Sequence, residues 1–165
     1  MNFPIPEDLP PDLLQAVVLI GQSQIGVRES PLGSNRGPEV DRYLSTTGLA
    51  SGNYWCAAFV YWLYDQAAKK LGVPNPMTRS GSVMKLWNEA RKAARVAEVP
   101  QPGMVFIISH GGGTGHTGIV EGVHGGVVQT IEGNTNEAGQ RNGIGVFRRK
   151  RAITQINRGF IDYRL

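Results

Sequence analysis

The hydrophobic pattern of this chain changes period once, at Pro100, and that change restricts the possible folds more than any other feature. Before it, apolar residues recur at helical spacing. Pro10-Pro11-Asp12 opens such a segment at residues 13–20, with Asp12 near the N-cap. A loop rich in Gly, Pro, Ser and Asn follows over residues 26–37, and Pro38 then suits the first turn of a short helix through Leu44, closed near Gly48. Asn53 is the expected N-cap of a third helix over residues 54–71, which has Lys69 and Lys70 in its last turn and Gly72 just beyond. Ser80 or Ser82 starts a fourth, ending near Lys92.

After Pro100 the apolar runs are short and punctuated by glycine. Strands are expected over residues 104–108, 116–123, 127–134, 146–151 and 160–164, with His124-Gly125-Gly126 as the turn between the second and third. Helices first and antiparallel strands afterwards predict an α+β domain, with N-terminal helices packed on a C-terminal sheet. At 165 residues the chain fits one domain, spanning residues 1–165. Its 41% apolar and 18% charged content argue against disorder.

There is one cysteine, Cys56, so neither an internal disulfide nor a cysteine-rich metal site can form. A lone cysteine is usually a small buried hydrophobe. This one falls in the first turn of a predicted helix, where unpaired N–H groups and the positive dipole end favour a thiolate and can donate to an oxyanion. The apolar residues that follow, Ala57, Phe59, Val60, Trp62 and Leu63, would hold the helix against a sheet.

A thiolate nucleophile needs a base. His110 precedes Gly111-Gly112-Gly113 and His124 sits in the expected turn, whereas His116 begins a strand whose pairing would fix it beside a cleft. A three-residue turn pairs Val123 with Val127 and places His116 opposite Asn134, with Glu132 diagonal on the same face. A two-residue turn would put His116 and Glu132 on opposite faces. Composition favours the first register, which gathers His116, Gly118, Val120, Gly122, Val128, Thr130, Glu132 and Asn134 on one face; its glycines would let a helix approach that face closely. Glu132 or Asn134 would then orient His116.

Net charge is +4 and the pI about 9.5, a balance that suits an anionic partner or simply a mildly basic protein. Arg148-Arg149-Lys150-Arg151 has no interleaved aromatics and reads as a solvated strand edge, not a nucleic-acid surface. The first residues lack the basic and apolar regions of a signal peptide, and the longest apolar run, residues 16–20, is too short to cross a bilayer.

Three segments in order resemble the CHAP (cysteine, histidine-dependent amidohydrolase/peptidase) domain, a papain-like relative of the NlpC/P60 enzymes. They are Trp55-Cys56-Ala57-Ala58-Phe59-Val60, Gly115-His116-Thr117-Gly118-Ile119-Val120 and Ile131-Glu132-Gly133-Asn134-Thr135. The spacing agrees too: 60 residues from Cys56 to His116, 16 more to Glu132 and two more to Asn134. Ile25-Gly26-Val27-Arg28-Glu29 and Asn35-Arg36-Gly37-Pro38 resemble the stretch before the nucleophile, so the likeness runs from about residue 13 to 163.

The resemblance implies a papain-like fold and cleavage of an amide bond in peptidoglycan, either between N-acetylmuramic acid and L-alanine or within the stem peptide or cross-bridge. It assigns Cys56 as nucleophile, His116 as base, and Glu132 and Asn134 as orienting groups; Glu29, Asn35, Trp55 and the 110–115 loop are candidate walls of the substrate groove. No cofactor is expected. The acidic calcium loop of some members is missing, since residues 45–54 carry no carboxylate, and Gly103-Met104 stands where many members have Gly-Asp. A phage-type lysin or an injected antibacterial effector is the expected setting, made in the cytoplasm without a signal peptide and exported by a holin or a secretion system. The expected partners are the wall and, for a toxin, an immunity or inhibitor protein; the protein is expected to be a monomer with no membrane insertion. Two competing readings are a catalytically idle wall-binding module with Cys56 merely buried, and a papain-like hydrolase of proteins or lipids.

Overall fold

The computed structural model describes residues 2–135 and 143–165. Four helices come first: α1 (Leu13–Gln24), α2 (Pro38–Thr46), α3 (Cys56–Leu71) and α4 (Val83–Lys92). Asp12 caps α1 by accepting from the Gln15 N–H, and Ser82 caps α4 by accepting from the Lys85 N–H. Pro38 opens α2 and a left-handed Gly72 ends α3, as the sequence predicts. The start of α3 differs. It begins at Cys56 with Trp55 as N-cap, while the Asn53 amide donates to the Ala50 carbonyl instead of capping.

Six strands follow: β1 (Val96–Ala97), β2 (Val105–Gly111), β3 (Thr114–His124), β4 (Val127–Thr135), β5 (Gly145–Ala152) and β6 (Gly159–Ile161). They form one antiparallel sheet in the order β1-β6-β2-β3-β4-β5. Two-residue β1, which pairs only with β6, was too short to leave a periodic signal.

The β3–β4 hairpin reaches the expected register by an unexpected route. Its turn has two residues, Gly125 and Gly126, so His124 pairs with Val127 and Val123 with Val128. That offset alone would separate His116 and Glu132 onto opposite faces. A β-bulge at Glu121 inserts one extra residue into β3, and beyond it Val120 faces Thr130 and Ile119 faces Ile131. This second offset is the one that brings His116 and Glu132 to the same side. Glu121 is held by Arg148 of β5 through three contacts of 2.8–3.1 Å and by Gln22 of α1 at 3.1 Å.

The helices cover one face of the sheet. Val105, Ile107, Ile119, Ile131 and Ile161 join the main core with the buried sides of α1–α4. Tyr43 of α2 packs its ring 4.8–5.7 Å from those of Trp55, Phe59 and Trp62, which locks α3 between α2 and the sheet. A smaller apolar cluster around Phe106, Val120, Val128 and Phe160 lies on the other face. His116, paired with Ile108, belongs to this second face. The glycine that admits a helix is therefore Gly133, on the first face, where a Cβ would come within 2.7–2.9 Å of Trp55 and Phe59. Gly118 lies against Phe106 and Glu132, so the expected close approach of a helix to the histidine's own face does not occur.

Candidate active site

Cys56 is the first residue of α3 and is 3% exposed. No side chain caps this helix, so its first turn keeps its donors for another use. The cap residue is instead held from behind. The Trp55 indole N–H donates to Glu29 Oε1 at 2.8 Å, and Glu29 Oε2 accepts from the Asn35 backbone N–H at 3.1 Å. Glu29 and Trp55 are both buried, and with Asn35, which has a left-handed backbone, they form a brace beneath the nucleophile. They do not line the cleft above it. The brace also explains the late helix start, because a tertiary contact from Glu29 fixes Trp55 outside the helix.

His116 is 2% exposed, and its Nε2 lies 2.8 Å from Glu132 Oε1. Cys56 acts on the same ring and helps raise its pKa; with Nε2 engaged by the carboxylate, the buried Nδ1 is the nitrogen left to face the sulfur. Glu132 is fully buried and does not rely on His116 alone. Arg151 donates from Nε to Oε2 and from Nη2 to Oε1, both at 2.7 Å, and the Thr130 hydroxyl donates to Oε2 at 2.6 Å. This two-pronged geometry is the strong form of an Arg–carboxylate pair.

The electrostatics follow from these contacts. Burial pushes the Glu132 carboxyl up, but the bonds and charges of Arg151 and His116 outweigh it and hold its pKa near 2. Burial likewise pushes His116 down, and the hydrogen bonds and charges of Cys56 and Glu132 reverse this to a pKa of about 9. At neutral pH the ring is an imidazolium paired with the Glu132 carboxylate.

Arg151 corrects the reading of the basic run as a solvated strand edge. Its side chain is only 13% exposed, and it points to the face that carries Glu132, while Arg148 uses the other face to hold Glu121. The signal in the sequence was alternation: residues 149 and 151 share one face of a strand, and residue 148 takes the opposite one. Choosing the carboxylate for each required the strand order.

Asn134 has a left-handed backbone (φ 55°), is fully buried, and makes no bond to His116; neither its amide oxygen nor its nitrogen has a partner among the described residues. Of the two groups expected to orient His116, the structure brings Glu132 to the ring. His124 lies at the hairpin turn and His110 at the exposed end of β2.

A cleft of about 530 Å³ opens on Cys56. One wall is Thr47, Leu49, Asn53 and Tyr54; the other runs from Arg79 to Lys85 along the start of α4; Gly113, Thr114 and Gly115 close one side. The 110–115 loop thus contributes to the cleft, as the sequence suggested. Among the described residues no three His, Cys, Asp or Glu side chains gather to hold a metal ion.

A family model described as the CHAP domain matches residues 48–134, just over half of the chain and spanning Cys56, His116, Glu132 and Asn134. No curated protein and no solved structure matches the chain.

Proposed function

Because the chain belongs to the CHAP-domain family, whose members are typically cysteine- and histidine-dependent amidohydrolases or peptidases, we propose that it hydrolyses an amide bond of peptidoglycan through a thioester on Cys56. The observation that carries this reading is the buried chain of contacts from Cys56 through His116 to Glu132 and Arg151. A merely buried cysteine has no use for a histidinium clamped by a fully desolvated carboxylate.

The chemistry follows from the residues. The Cys56 thiolate adds to the amide carbonyl carbon, and the first turn of α3 supplies N–H donors to the oxyanion. His116 gives a proton to the amine nitrogen as the C–N bond breaks, leaving the acyl group on sulfur. The now neutral ring takes a proton from water, hydroxide adds to the thioester, and the C–S bond breaks to return the thiolate–imidazolium pair. Glu132 fixes the ring's orientation and stabilises its charge throughout. Arg151 and Thr130 keep Glu132 ionised and still.

Incubation of the protein with purified sacculi, followed by mass spectrometry of the released muropeptides, tests the proposal. Wild type should release fragments with a new amine and a new carboxylate at one bond, and the identity of that bond separates amidase from endopeptidase. Cys56→Ala should release none. Equal lysis by Cys56→Ala, together with slow iodoacetamide labelling of Cys56 at neutral pH, would overturn the enzyme in favour of a wall-binding module. Cleavage of protein or acyl-lipid substrates with intact sacculi would move the activity elsewhere. A wall substrate places the site of action outside the cytoplasm, as for a lysin or an exported effector.

A further inference from the structure

We propose that the Cys56 cleft selects a peptide bearing a free carboxylate next to the scissile amide, and that Arg79 and Lys85 recognise that carboxylate. The inference rests on the wall-hydrolase reading for its substrate class, but its evidence is the cleft itself. Among the described residues that line it, Arg79 and Lys85 are cations and none is Asp or Glu. Neither cation forms a salt bridge among the described residues, though Lys85 also feels Glu89 one turn along α4. Arg151, the arginine that contacts Glu132, is committed to that carboxylate.

Arg79 is also tied to the cleft wall, and Lys85 stands on a capped helix turn. Arg79 donates from Nε to the Thr46 carbonyl at 2.7 Å, which ties its guanidinium to the wall that carries Thr47 and Leu49. Lys85 lies in the first turn of α4, and its backbone N–H is fixed by Ser82 Oγ. Leu49 and Val83 supply apolar surface in the same cleft, while Arg79 and Lys85 are themselves exposed, so their pull on an anion is weakened by salt. Glu132 is matched by His116 and Arg151, so the cationic character of the cleft lining comes from Arg79 and Lys85. Stem peptides of a bacterial wall carry free carboxylates in some walls and carboxamides in others, and this cleft distinguishes the two forms by charge alone.

The first experiment needs no wall substrate. Cys56 is alkylated with anionic iodoacetate and with neutral iodoacetamide, and the ratio of the two rates is compared among variants. The ratio should fall about tenfold in Arg79→Gln/Lys85→Gln, and that loss should shrink as salt is raised. Arg79→Lys/Lys85→Arg, which keeps both charges, should retain the wild-type ratio and thereby exclude a folding defect. The second experiment measures kcat/KM on synthetic stem peptides whose carboxylate next to the scissile amide is free or amidated. Wild type should prefer the free acid, and the double Gln variant should lose that preference through KM. An unchanged alkylation ratio, or equal cleavage of acid and amide by wild type, would overturn the proposal. If the ratio shifts but no wall peptide is cleaved, the wall reading fails and the anion site stands.

Discussion

Glu132 accepts from three neighbours at once, and this sets the pH behaviour of the site. His116 must stay protonated to pair with the Cys56 thiolate, so kcat/KM should decline as pH rises through about 9. Glu132 is one of the groups that raise the His116 pKa. In Glu132→Gln the alkaline limb should therefore move to lower pH, and kcat should fall by roughly 10²–10⁴, the range typical of a lost orienting or acid–base contact; an unmoved limb would place His116 outside the catalytic step. Arg151 is the largest single influence holding Glu132 ionised. Arg151→Met should raise the acid limb of the profile and cost about 3–5 kcal/mol in urea unfolding, the usual penalty for leaving one half of a buried ion pair unmatched.

At the scale of elements, the register of one hairpin and the tip of one helix have to agree. Glu121 is the residue by which β3 exceeds β4, and its ties to Arg148 and Gln22 hold the bulge in place. Deleting Glu121 removes the bulge and its extra residue together, so Gly122 still faces Gln129 and Val120 still faces Thr130; His116 should stay on the Glu132 side and activity should persist, at the cost of the Arg148 and Gln22 contacts. Loss of activity in the deletion, with the far-ultraviolet circular dichroism intact, would show that the local bend of the bulge, and not the pairing alone, sets the geometry of the site. Gly133 permits the contact on the other side of β4, where Trp55 and Phe59 press on the strand. Gly133→Ala should force α3 outward, cost about 1–3 kcal/mol by overpacking, and slow Cys56 alkylation by iodoacetamide as the thiol leaves the His116 ring.

Across the whole molecule, the same two buried groups shape stability against pH. The Glu132 pKa is depressed from 4.5 to about 2, so its contribution is present above about 4.5 and is lost as pH falls through about 2. The His116 pKa is raised from 6.5 to about 9, so its contribution is present below about 6.5 and is lost as pH rises through about 9. Melting temperature should therefore be highest between about pH 4.5 and 6.5, with both limbs flattened in a Glu132→Gln/His116→Gln double variant. A wild-type profile indistinguishable from that of the double variant would mean that this pair does not govern the molecule's titration.

The change of hydrophobic period at Pro100, the caps at Asp12 and Ser82, and the stop at Gly72 settled the α+β layout, because each is a local backbone preference written in adjacent residues. The order and spacing of Cys56, His116 and Glu132 likewise singled out the three residues that the structure brings together. Tertiary structure decided what depends on residues far apart in the chain. Glu29 moved the start of α3 from Tyr54 to Cys56, and Glu121 corrected a register that the Gly125-Gly126 turn alone would have spoiled. Arg151 became part of the site, and not an exposed edge, because β5 lies beside β4 and presents alternate side chains to the face where Glu132 is buried. A desolvated carboxylate needs a cation, but only the strand order says which one in a run of four reaches it.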